Sequence, residues 1–372
     1  MARKLSIGLK FALFILASYF FIAGIIQARN FLYPLTFAIM FSYLLYPLAN
    51  FLEKRSFPRI LAILISILSA IIILGSIFYV FYTQMTSLLE GFSSLKEQAI
   101  TNIELLQKNL QNWLGLKDNK IADFLKMQVD QFFSGQGNGL RKIFTTTTST
   151  ILNTVVLPVY TFLFMYYRTK FAYFILKLVP KGKEFLAIKI LRDISTIAAS
   201  YMGGVTIVVI ILIVLNSTGL LIIGVKYAIF FGMISAFFNF IPYFGTLMGG
   251  SIPFLFVLLT TSDPLHFGLR VALLFVIIQF IENNILTPNI VGGHVKLNPF
   301  IIIVGLVLGG TVWGIPGLLV TVPFLAILRV IFANLQPLAP LSYLMGPRGT
   351  RKHAITLPKI KHFLQSKFHK KN

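Results

Sequence analysis

Residues 227–260 read YAIFFGMISAFFNFIPYFGTLMGGSIPFLFVLLT, from Tyr227 to Thr260, 34 positions without a charged side chain. As one straight helix the stretch would run about 51 Å, against a bilayer hydrocarbon core of about 30 Å. Its centre, Asn239-Phe240-Ile241-Pro242-Tyr243-Phe244-Gly245, carries the residues that interrupt helices. Proline removes a backbone donor and clashes with the preceding turn, and glycine lets the chain reverse. A second stretch of this kind runs from Pro299 to Ile331, broken by Gly309-Gly310-Thr311-Val312-Trp313-Gly314-Ile315-Pro316-Gly317. Arms of about a dozen residues are too short to cross the core, so each stretch is expected to form a re-entrant hairpin. Two tilted or kinked spans are the alternative reading.

Composition extends this reading to the whole chain. Of 372 residues, 56% are hydrophobic and only 12% charged, with a mean hydropathy of +0.83. A soluble domain carries about 25% charged residues, so this chain cannot coat its apolar surface in water. Apolar runs at 11–27, 31–52, 60–82, 143–167, 201–223 and 267–290 join the two broken stretches. The expectation is an all-α polytopic membrane protein with about eight membrane segments. The first run follows a basic n-region like that of a signal peptide, but the spans that follow favour an uncleaved helix. With no cysteine, disulfides, thiolate chemistry and cysteine metal sites are excluded.

Residues 84–142 are different, with apolar side chains at helical spacing among polar ones, as in Ile103, Leu106, Leu110 and Trp113. The pattern predicts amphipathic helices lying on the bilayer or on the protein, ended by a flexible turn at Gly135–Gly139. The hydroxyl run Thr145–Thr150 fits side chains bonded back to their own helix. This segment holds seven basic and six acidic residues, whereas the loop 168–199 holds seven basic and two acidic. The positive-inside rule therefore places both termini and 168–199 in the cytoplasm and 84–142 outside. Most of the net charge of +22, which in a soluble chain would suggest nucleic-acid binding, becomes an orientation signal. The expected organisation is three N-terminal helices over 1–83, the exterior segment 84–142, a transport core over 143–334 and a basic tail over 335–372. The tail suits contact with anionic lipid.

Among the 11 acidic residues, only Glu282 lies deep within an expected span. An ionisable group there is expensive to keep and is a functional candidate by default. Gln279, Glu282 and Asn283 share a face at i, i+3 and i+4, offering a carboxylate and two amides to a cation, a proton or a polar solute. The alternative is a structural contact with another helix, or with Lys226 or Lys296 at the membrane edge. Paired broken segments point to a midplane binding site in secondary transporters. Asn239, Pro242, Tyr243 and Gly245 in the first break, and Gly310, Gly314 and Pro316 in the second, join the candidate site on that ground. His266 and His294 sit near span ends, and His362 and His369 lie among lysines, so no metal or cofactor site is expected. No nucleophile motif, phosphate-binding glycine loop or HExxH occurs, which argues against an enzyme and against a self-contained ATP-driven pump.

Three stretches carry a family resemblance: Leu157-Pro158-Val159-Tyr160-Thr161-Phe162-Leu163; Phe240-Ile241-Pro242-Tyr243-Phe244-Gly245; and Gln279-Phe280-Ile281-Glu282-Asn283-Asn284-Ile285-Leu286-Thr287-Pro288-Asn289-Ile290-Val291-Gly292, followed by Leu297-Asn298-Pro299 and by Gly309-Gly310, Gly314, Gly317 and Val322-Pro323. Together they resemble the AI-2E family, the autoinducer-2 exporter family of bacterial transporters, over roughly 10–335. The chain departs from the usual pattern at Thr246, where proline is frequent, and at Asn298, where histidine is usual. It departs again at Tyr166-Tyr167-Arg168, where an acidic residue typically closes the span. The resemblance implies a multi-pass transporter of the bacterial inner membrane that either exports autoinducer-2 or exchanges sodium or lithium for protons.

Three functions follow as expectations. The first is secondary transport or facilitated export of a small polar solute at Glu282. The second is a cation/proton antiporter in which Glu282 alternates between proton and sodium. The third is a non-transporting membrane scaffold working through 84–142 and the tail. Partners are the lipid bilayer and the solute or monovalent cation, not nucleic acid. Small-residue runs such as Gly249-Gly250-Ser251 would also suit a homo-oligomer.

Overall fold

The computed structural model describes residues 7–114, 120–134, 156–242, 244–291 and 297–347. Expectations placed on Gly135–Gly139, Thr145–Thr150, Tyr243, His294, His362, His369 and the basic tail lie outside these residues. The described chain is helical throughout. Its elements are α1 (Ile7–Gln27), α2 (Arg29–Lys54), α3 (Arg59–Glu90), α4 (Phe92–Leu114), α5 (Lys120–Ser134), α6 (Val156–Tyr166), α7 (Arg168–Leu178) and α8 (Glu184–Ile223). Then come α9 (Ala228–Phe238), α10 (Phe244–Thr260), α11 (Pro264–Ile281), a π-helix over Glu282–Val291, α12 (Pro299–Trp313), α13 (Ile315–Asn334) and α14 (Ala339–Met345). Helices in 29–54, 59–90, 184–223, 264–291 and 315–334 are each long and apolar enough to cross a membrane. The fold is all-α and polytopic.

Local chemistry sets the boundaries. Helix α8 ends at Gly224, with φ +86°, where Val225 N–H bonds Leu220 O across a left-handed reversal. Asp263 caps α11 by accepting from His266 N–H at 3.3 Å, with Pro264 in the first helical position. Asn298 caps α12 in the same way, accepting from Ile301 N–H at 2.9 Å ahead of Pro299. Arg168, at the start of α7, pairs with Glu53 at 2.5 Å, and Arg59 donates to Met165 O at 2.9 Å. These bonds tie the α2–α3 link to the α6–α7 link.

Both broken stretches fold back as antiparallel helical hairpins rather than kinked spans. In the first, α9 lies along α10 so closely that a Cβ on Gly245 would stand 1.9 Å from Phe238 O. In the second, a Cβ on Gly317 would stand 1.9 Å from Gly309 O. Only glycine permits these backbones to touch. The hairpins root at opposite ends of α8: the first leaves from Gly224, and the second packs α13 beside Arg192–Ile197. Three expectations need correction. Helix α13 has 20 residues, a full crossing length, because nothing after the break halts it before Asn334 and Pro323 is absorbed within it. Residues 168–199 are not a loop. They form α7 and the first half of α8, a 40-residue helix of about 60 Å, because Lys, Arg and Glu are good helix formers once the chain leaves the apolar core. Helix α3 likewise continues past Tyr82 to Glu90.

Helices α4 and α5 pair antiparallel, joined by Lys96–Asp130 at 3.0 Å and Lys126–Glu104 at 2.7 Å. Their buried residues Ala99, Ile103, Ala122 and Val129 pack with Leu259, and Asn102 Nδ2 donates to Thr261 O at 2.7 Å. This amphipathic pair therefore rests on protein, at the α10–α11 link.

Candidate functional site

Glu282 stands where α11 gives way to the π-helix, only 7% exposed. Gln279, one α-turn earlier, donates Nε2–H to its Oε2. Thr287 donates its hydroxyl to Oε1 at 2.9 Å. In an α-helix, Thr287 would lie about 140° around the axis from Glu282. A π-helix closes i→i+5 bonds and brings the fifth residue alongside. Pro288 favours the wide turn, since its ring would clash with the carbonyl four residues back in an α-helix. The wide segment packs onto α8 at Gly204, where a Cβ would stand 2.9 Å from the Cα of Val291.

Four elements line a cavity of about 20 Å³ beside the carboxylate, room for a single water-sized occupant. Helix α8 contributes Asn216, α9 contributes Ser235 with Asn239 just past its end, α10 contributes Gly245, Gly249 and Gly250, and α11 contributes Gln279. Ser235 donates to Gly249 O at 2.5 Å and pins the two arms of the hairpin together. Asn216 is 3% exposed, and its Oδ1 has no hydrogen-bond partner among the described residues. A buried acceptor left this way costs on the order of 1–3 kcal/mol, so an acceptor beside a cavity marks a place for a donor or a cation. Glu282 is the one charged group in the lining.

Asn239, Gly245, Gln279 and Glu282, expected from sequence, meet at this cavity. Asn283 does not: it is exposed and is absent from the lining. Pro242 is partly buried at the hairpin tip without lining the cavity, and Tyr243 lies outside the described residues. Gly310, Gly314 and Pro316 sit at the tip of the second hairpin, where Trp313 Nε1–H donates to Ile25 O at 3.2 Å. They do not line this cavity. Sequence reasoning passed over Asn216, Ser235 and Thr287. The first two were visible as lone polar residues inside apolar runs, but Thr287 required knowledge of the π-helix.

Comparison with known proteins agrees with this architecture. The chain is 28% identical to "Putative transport protein YrrI" of Bacillus subtilis, covering 81% of this chain and 85% of the relative. It is 26% identical to "Putative transport protein YueF" of the same organism, covering 87% and 89%. It is 24% identical to "AI-2 transport protein TqsA" of Escherichia coli, covering 87% and 91%. The profile of the AI-2E family transporters matches residues 11–336, close to the whole described fold, and the chain belongs to that family.

Proposed function

We infer that the chain is a secondary transporter for a small polar solute, with Glu282 as the central acceptor of its site. The observation that carries this reading is the convergence, at one cavity, of a buried carboxylate and the Asn216 acceptor, unpartnered among the described residues. A hairpin wall made of glycines borders it. Broken helices place free backbone groups only where protein or a wet cavity satisfies them, and their tips are natural moving parts. The autoinducer-2 relation comes from TqsA, whose name states that activity, and supplies the solute class to test first. The transport relatives also support a carrier rather than an enzyme.

Cavity size favours a second reading, cation/proton exchange. About 20 Å³ admits a water or a bare monovalent cation, and the lining supplies carboxylate, amide and hydroxyl oxygens of the kind hard cations take. In both versions the protein lies in the bacterial inner membrane with both termini cytoplasmic and α4–α5 outside, as the charge distribution supports. Assembly as a homo-oligomer is part of the same proposal.

Proteoliposome flux separates the readings. Sodium-driven proton movement that Glu282→Gln abolishes supports exchange. Efflux of a hydroxylated solute that Glu282→Gln abolishes, without sodium-driven proton movement, supports solute export. If Glu282→Gln leaves every flux unchanged, the site is wrong.

A further inference from the structure

A second cavity, about 410 Å³ and open on one side, lies between the first half of α8 and the last turns of α13, with Leu297 before α12 in its lining. It falls within the range of about 300–1,000 Å³ typical of small-molecule sites. It shares no lining residue with the Glu282 cavity; Leu212 and Ile278 of that lining and Leu297 and Ala326 of this one belong to one buried apolar cluster with Tyr201, Val208 and Val322. Helix α8 presents Arg192, Asp193, Thr196 and Ile197 to the space, and α13 presents Ala326, Arg329, Val330, Ala333 and Asn334. The α13 residues recur at helical spacing, with alanines at two positions where larger side chains would fill the volume.

The lining has a distinct chemical character. Two arginines, from two different helices, and one aspartate line the cavity, so its wall carries a net positive formal charge. Among the described residues, the side chains of Arg192 and Asp193 form neither an ion pair nor a hydrogen bond, although they neighbour each other in sequence and line the same cavity. Arginine forks match the spacing of phosphate oxygens, and a pair delivered from two helices can clamp one phosphate from two sides. Asp193, Thr196 and Asn334 add acceptors and donors suited to hydroxyl groups.

We propose that this cavity binds a phosphate group bearing neighbouring hydroxyls, with Arg192 and Arg329 on the phosphate and Asp193, Thr196 and Asn334 on the hydroxyls. The same chemistry occurs in a soluble sugar phosphate and in the headgroup of phosphatidylglycerol. The inference is independent of the Glu282 site and does not require that site to transport anything.

The test uses the full chain in a non-ionic detergent, titrated calorimetrically with ribose 5-phosphate and with ribose. In parallel, the chain is reconstituted into nanodiscs of phosphatidylglycerol mixed with phosphatidylcholine, and retained lipid is read by native mass spectrometry. Arg192 is exposed, so Arg192→Gln is expected to fold normally, and an unchanged melting temperature checks this. Ribose 5-phosphate binding at least tenfold tighter than ribose, weakened about tenfold or more in Arg192→Gln, assigns a soluble ligand. Selective retention of phosphatidylglycerol that Arg192→Gln loses, without binding of ribose 5-phosphate, assigns the lipid headgroup. If neither ligand binds, or Arg192→Gln binds both as wild type does, the proposal is overturned.

Discussion

At Glu282 the two carboxylate oxygens draw on partners at different helical spacings, Gln279 at i−3 and Thr287 at i+5. The pair holds the carboxylate in one orientation beside the cavity, and neither bond alone would do so. Thr287→Val removes one of these bonds while keeping the shape. It is expected to lower stability by about 0.5–1.5 kcal/mol and to reduce flux more than that loss alone explains, as thermal unfolding and proteoliposome assays on the same sample would show. Asn216 makes the complementary case. Replacing it with leucine removes an unpartnered acceptor, so Asn216→Leu should keep or raise the melting temperature while flux falls; equal flux would mean that Asn216 faces the cavity without serving it.

Among the elements, the hairpins depend on backbone contact. Gly245 and Gly317 each face a carbonyl oxygen at a distance no Cβ tolerates. Gly245→Ala and Gly317→Ala are each expected to destabilise the protein by about 1–3 kcal/mol or more, because the second arm must back away from the first. Gly75, within α3, has nothing within 4 Å of its would-be Cβ, so Gly75→Ala should be neutral or stabilising by up to about 1 kcal/mol. Melting temperatures of the three variants in one detergent test the contrast, and equal losses would show that glycine flexibility matters here rather than close approach. The hairpin positions were legible in the sequence, since Asn239–Gly245 and Gly309–Gly317 concentrate helix breakers inside apolar stretches. Their inequality was not, because breakers mark where a helix stops and say little about how far the next one runs.

For the molecule as a whole, α8 is the common support. The first hairpin, the π-helix and α13 all pack against it, and the hairpins approach from its two ends. The native chain lacks cysteine, so single-cysteine variants report orientation cleanly. With a membrane-impermeant maleimide, Glu97→Cys on α4 should label in intact cells, and Lys181→Cys between α7 and α8 only after permeabilisation. The reverse pattern would invert the proposed topology.

By itself, the sequence determined the membrane class, the helical content and the two breaks. These follow from composition and from proline, glycine and capping residues acting over one or two turns. It also singled out Glu282, because a carboxylate in an apolar run is conspicuous wherever the run folds. Only the tertiary structure decided what surrounds that carboxylate. Asn216 and Ser235 reach its cavity from helices distant in sequence, and Thr287 reaches the carboxylate because the backbone leaves α-helical register at Glu282 itself. Asn283 stays outside that cavity, although α-helical periodicity had put it on the site face. Local residue chemistry fixes where helices start and break, whereas a polar site is assembled by packing between elements, which no single segment encodes.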